Sequence, residues 1–175
     1  MAGCEDVTDA AFVHLRGIHT LDMTLCDQRT ITDAAFAHLA GIQRLSMWDC
    51  SQATITDAAF AHLRGIQLLN ISWCRQLTDA AFAHLRDIHT IYMWNCDQLA
   101  ITDAAFVHLR GIHTLVMSGC RQATIAGATF ASLQGIAALG LSDCGDAAVA
   151  AAQSLGLPVR HRASRLGAFH YTFEG

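Results

Sequence analysis

Lysine does not occur in this chain: all eleven basic residues are arginine. That absence excludes a P-loop lysine, a Schiff-base lysine and a lysine general base. Proline occurs once, and although 53% of the 175 residues are hydrophobic, there is no run of eighteen apolar residues, so no membrane span is expected. The opening stretch MAGCEDVTDA has no basic segment followed by an apolar one, which is the pattern of a secretory signal. A cytoplasmic location is therefore the expectation. An excess of positive charge is missing as well. A net charge of −4 argues against a general nucleic-acid binder, because such proteins draw much of their affinity from neutralising phosphates. The length suits one domain.

Repetition is what the chain has in abundance. TDAAF occurs at 8–12, 32–36, 56–60, 78–82 and 102–106, and AGATF at 126–130 is a weaker sixth copy. Phe12, Phe36, Phe60, Phe82, Phe106 and Phe130 are separated by 24, 24, 22, 24 and 24 residues. Cys26, Cys50, Cys74, Cys96, Cys120 and Cys144 keep the same spacing. A fixed period of this size predicts a solenoid, in which each unit buries its apolar face only against its neighbours.

Each unit can be folded from its own residues. IHTLDMTLC, IQRLSMWDC, IQLLNISWC, IHTIYMWNC, IHTLVMSGC and IAALGLSDC share one frame of apolar positions ending in cysteine. Its central alternation predicts a short strand with one buried face. Leu21 and Met23 point inward on this reading, and Thr20, Asp22 and Thr24 outward. Thr8 is placed to cap a short helix, Asp9 sits at its positive end, Phe12 and Leu15 share a face, and Gly17 ends it. A strand and a helical segment in so few residues stack with parallel strands on one side and helices on the other.

This frame resembles that of the leucine-rich repeat family, L-x-x-L-x-L-x-x-N/C-x-L. The Ile-Thr-Asp or Leu-Thr-Asp that follows is similar to the cysteine-containing subclass found in F-box substrate receptors, although no F-box-like segment is present. The resemblance implies an α/β solenoid arc with a parallel sheet on the concave face and short helices on the convex face. It covers residues 1–144, as a partial first repeat and six repeats of 22–24 residues. Gln28, Gln52, Gln76, Gln98 and Gln122 depart from it, standing where the frame asks for an apolar residue. Residues 145–175 read as a degenerate half-repeat and a tail made locally basic by Arg160, Arg162 and Arg165. At the other end Met1 is expected within a strand, with Cys4 as the ladder cysteine of a truncated repeat. Apolar core around Val7, Phe12 and Leu21 is then expected to be exposed, and homo-oligomers through uncapped ends follow as an expectation.

The chemically suggestive residues have structural explanations. The cysteines recur once per repeat rather than in C-x-x-C pairs, and stacked in register they would lie about 4.8 Å apart, wider than the ~3.8 Å between Cβ atoms of a disulfide. A reduced ladder bonding backbone carbonyls is expected. His14, His38, His62, His84 and His108 form one row and His19, His89 and His113 another; a partly exposed convex face accounts for them. The repeated aspartates have a helix-terminal role. No catalytic residue, metal site or cofactor is assigned, and the chain is not expected to be an enzyme.

The copies differ most at outward positions. One file reads Asp22, Ser46, Asn70, Tyr92, Val116, Gly140, and the next Thr24, Trp48, Ser72, Trp94, Ser118, Ser142. Diversity confined to one face, with aromatics in it, predicts a surface that reads a partner. The expected function is a protein-interaction module binding a protein or peptide on its concave sheet, with Trp48, Tyr92 and Trp94 as anchors and Arg44 and Asn70 as polar contacts. A structural or self-assembling repeat without a dedicated ligand is the alternative. Neither nucleic acid nor membrane is expected as a partner.

Overall fold

In this computed structural model, which describes residues 2–4 and 6–160, each copy of the apolar frame forms a strand of three residues. These are β1 (Thr20–Asp22), β2 (Arg44–Ser46), β3 (Leu68–Asn70), β4 (Thr90–Tyr92), β5 (Thr114–Val116) and β6 (Ala138–Gly140). They pair in chain order, all parallel, in one sheet that ends with β7 (Val159–Arg160). The constant period sets the register, so that Leu21, Leu45, Leu69, Ile91, Leu115 and Leu139 lie side by side and are buried.

Helical turns return the chain across the other side. Asp9–Phe12, Asp33–Phe36 and Asp79–Phe82 are single α-helical turns, whereas Asp57–His62 and Asp103–His108 wind more tightly as 3-10 helix. The six phenylalanines of the repeat are completely buried and form the spine between sheet and helices. Together these elements make an α/β solenoid. Among the described residues no helix is long and apolar enough to cross a membrane.

Polar bonds lock one repeat to the next. Asp33 Oδ1 accepts the Thr56 backbone N–H at 2.7 Å, and its Oδ2 accepts the Thr56 hydroxyl at 2.7 Å. That hydroxyl oxygen in turn accepts the N–H of Ala58, which caps the helical turn. The same relay joins Asp9 to Thr32, Asp57 to Thr78 and Asp79 to Thr102. Thr8, at the head of the first helical turn, makes no side-chain cap bond. The repeated aspartates thus hold the following repeat as well as their own helix.

Three expectations need correction. Phe12 and Leu21 are buried, not exposed, and Val7 is half-buried, because the second repeat already covers the first from one side. The strands stop at Asp22 and its equivalents, so Thr24, Trp48, Ser72 and Trp94 lie in the turn beyond the sheet. The sheet also outlasts Cys144, since the helix Asp146–Ser154 returns Val159 and Arg160 as a seventh strand. The expected placements of Met1, Arg162 and Arg165 lie outside the described residues.

Candidate interaction surface

The turn after each strand begins as a continuation of the ladder. Met23 donates to the Ser46 carbonyl, Leu25 to that of Trp48, Asp49 to that of Ser72 and Trp73 to that of Trp94, at 2.8 to 2.9 Å. The chain then reverses through a residue of positive φ just before the cysteine. That position holds Leu25, Asp49, Trp73, Asn95, Gly119 and Asp143 in successive repeats. Asp, Asn and Gly accept this conformation readily, whereas leucine and tryptophan do so at a cost.

Inside the turn cysteine thiols bond backbone carbonyls of the preceding repeat. Cys50 donates from Sγ to the Met23 carbonyl at 2.9 Å and Cys74 to that of Met47 at 3.0 Å; Cys96, Cys120 and Cys144 repeat the bond. Among the described residues no two cysteines are joined in a disulfide. Burial raises the Cys50 and Cys96 thiols from the ordinary value of 9.0 to about 12, and raises Cys74 well above it. Such groups stay protonated and inert as nucleophiles. Beside them the glutamines that break the apolar frame turn inward. Gln52 donates from Nε2 to the Cys26 carbonyl at 3.0 Å and Gln122 to that of Cys96 at 2.9 Å. They satisfy carbonyls of the preceding turn that an apolar residue would leave bare.

The five residues selected from the sequence do not form one cluster. Arg44 is exposed at the head of β2, beside Thr20 and Leu68. Asn70 and Tyr92 are register partners at the ends of β3 and β4, both half-buried. Trp48 is 37% exposed in the turn after β2, and Trp94 is half-buried in the turn after β4. Ser72 between them is 4% exposed and accepts the Trp94 backbone N–H on its Oγ at 3.0 Å. Arg44 stands at the opposite end of its strand from Trp48 and so does not pair with it as a flanking cation.

Trp73 was missed. It is 37% exposed, with φ +64, and the Arg75 guanidinium sits 5.3 Å from its ring centroid. Arg75 also reaches Asp97 at 3.6 Å. Reading the file 25, 49, 73, 95, 119, 143 as a positive-φ turn position would have exposed both Trp73 and Leu25 as anomalies. Leu25, Trp48 and Trp73 are all exposed and follow one another along the rim of the first three full turns. Aromatic area is thus concentrated where chain leaves sheet, not on the sheet floor.

The histidines divide between two places. His14, His38, His62, His84 and His108 end the helical segments, half-buried or exposed. His89 and His113 sit at the heads of β4 and β5, not on the convex face, and stack with centroids 4.4 Å apart. Their Nδ1 atoms pair with the hydroxyls of Thr90 and Thr114. Among the described residues no group of three or more metal-binding side chains comes together.

No protein-family model matches this chain, and no curated protein sequence matches it either. Its fold is similar to one found in the crystal structure of the Rad7 and Elc1 complex in yeast, with a TM-score of 0.64 and 18% identity. The match covers 90% of this chain and 45% of that one, so this chain spans less than half of the protein it matches. At that identity the likeness is one of fold, and it agrees with leucine-rich-repeat-like units stacked on one parallel sheet.

Proposed function

We propose that this protein binds another protein or a peptide, held along the rim and concave face of repeats one to four. The observation that carries the reading is the set Leu25, Trp48 and Trp73, large apolar side chains left exposed in the turns of three successive repeats. Two of them stand at a strained backbone position that small polar residues fill in other repeats. Strain retained at a surface position suggests use. Tryptophan is the residue most enriched among energetic anchors of interfaces. Trp94, Tyr92 and Asn70 extend the surface inward, and Arg75, fixed by Trp73 and Asp97, supplies a positioned donor. The similar fold in the yeast complex, a structure of two proteins together, supports an interaction role in general.

A peptide-display library selected on the wild-type protein supplies binders, and calorimetry measures them. Trp48→Ala with Trp94→Ala, and separately Trp73→Ala, are each expected to weaken binding by about 2 kcal/mol or more while leaving the melting temperature nearly unchanged. Full affinity in both variants would reject the rim as the site. Self-association is the competing reading, favoured by Leu15 and Ile18, half-buried where Leu39 and Ile42 are buried completely. Light scattering that shows a monomer at high concentration removes it.

A further inference from the structure

The edge by which the chain returns to the sheet has a chemistry of its own. Four of the six helical segments end in the triad His-Leu-Arg, at 14–16, 62–64, 84–86 and 108–110. The leucine points in, and the arginine stands at the bend before the strand. Arg16, Arg64, Arg86 and Arg110 are all exposed. Arg44 and the stacked His89 and His113 lie next to this row at the strand heads. Arg16 donates to His38 Nδ1 at 3.3 Å, and among the described residues none of these arginines forms an ion pair. The one carboxylate among the described residues of this edge is Asp87.

Folding does not require these charges. Ala40 and Gln134 occupy the same bend in other repeats with similar backbone geometry. The carboxylates of the repeat cannot neutralise the row, because Asp9, Asp33, Asp57 and Asp79 are bound to threonines at the opposite ends of the helical segments. Net negative charge therefore conceals a strip of unpaired arginines. The row ends in a shallow depression of about 390 Å3 lined by Arg110, Gly111, Ala131, Ser132 and Gln134. Ser132 stands there in place of the histidine of earlier repeats, and its hydroxyl is turned to the Phe106 carbonyl at 2.7 Å, which leaves room beside Arg110.

We propose that this edge is a second docking surface, and that it takes an acidic peptide segment of a protein partner. Guanidinium groups at repeat spacing meet successive carboxylates, and a carboxylate at the end of the segment fits the depression beside Arg110. Arginine is suited to this role because its planar fork bonds a carboxylate in bidentate fashion. Peptide is favoured over nucleic acid because Trp48 and Trp73, the exposed tryptophans able to stack on bases, lie on the other edge.

Fluorescence anisotropy with a labelled peptide of alternating glutamate and serine, at low ionic strength, tests the assignment. Wild type is expected to bind saturably, and Arg64→Gln, Arg86→Gln, Arg110→Gln together to weaken binding about tenfold or more. Asp87→Asn is expected to tighten it, a gain that misfolding cannot produce. Arg75→Gln, on the other edge, should leave it unchanged. Equal binding by the triple variant and wild type would overturn the proposal. So would tighter binding of a single-stranded oligonucleotide of the same charge.

Discussion

Where the chain leaves a strand it places cysteine, glutamine and, beyond them, a Thr-Asp pair, whose thiols, amide nitrogens and carboxylates bond the neighbouring repeat, while the buried Oε1 atoms of Gln52, Gln76, Gln98 and Gln122 have no hydrogen-bond partner. Where it comes back it places histidine and arginine, and these side chains face solvent with few partners. Both edges repeat as faithfully in sequence. Repetition alone therefore does not distinguish a residue that stacks the solenoid from one that decorates it; the difference lies in whether the side chain's bonds cross to the next repeat. On that criterion the exit edge is structural inside and variable only at its rim, while the return edge is tied to the next repeat by few side chains, Arg16 to His38 and His89 against His113.

Alkaline pH should break the exit edge first. Burial raises the Cys50 and Cys96 thiols from 9.0 to about 12 in the folded protein. A raised folded pKa contributes stability that is complete below pH ~9 and is lost as pH rises towards 12. Each shift corresponds to ~4 kcal/mol by its upper end, so two such groups together approach the whole stability of an ordinary domain. Chemical denaturation followed from pH 8 to 11 should show falling stability, with unfolding releasing about one proton per buried cysteine at the upper end. At pH 8 thiol reagents should reach Cys50, Cys74 and Cys96 only after unfolding. Stability that stays flat across this range would mean that the ladder is open to water.

A smaller effect separates the edges within one repeat. Asp57→Ala removes the acceptor of both the Thr78 N–H and its hydroxyl, and should cost ~2–3 kcal/mol, since the bonds are charge-assisted and partly buried. Arg64→Ala, a few residues on, should stay within ~0.5 kcal/mol, as exposed substitutions do. Urea midpoints of the two variants measure this directly. Equal losses would erase the distinction between the edges.

Most of the architecture was legible because a repeated frame reports its own buried positions: Leu21, Leu45 and Leu69 are inward in the sequence and in register in the structure. The ends were less legible. Phe12 is buried by the repeat that follows it, and Val159 joins the sheet although its segment has lost the frame; both depend on neighbours in space rather than on local pattern. The candidate surface was legible only in part. Trp48, Tyr92 and Trp94 were singled out by comparing alternate positions, a rule that holds within a strand, but these strands end after three residues. Beyond that point backbone sign decides which side chains reach solvent, so Trp73, at φ +64, escaped notice. The arginine row was hidden by net charge, which adds the bonded aspartates to the unbonded arginines as if both were free.

The smallest predicted effect bears on the rim itself. Leu25 is 49% exposed and held at φ +60, whereas the fourth repeat places Asn95 at φ +52 in the same turn. A left-handed conformation costs a branched apolar residue roughly 1–2 kcal/mol, and asparagine tolerates it far better. Leu25→Asn should therefore raise stability by about 0.5–1 kcal/mol, allowing for the apolar contact that half of the leucine retains. If the rim binds a partner, the same change should weaken that binding, so that stability and affinity move in opposite directions. A variant that gains stability and keeps full affinity would confine the interaction to the tryptophans. One that gains nothing would show that the turn imposes no strain at Leu25, and the argument from strain to function would lose its support at Trp73 as well.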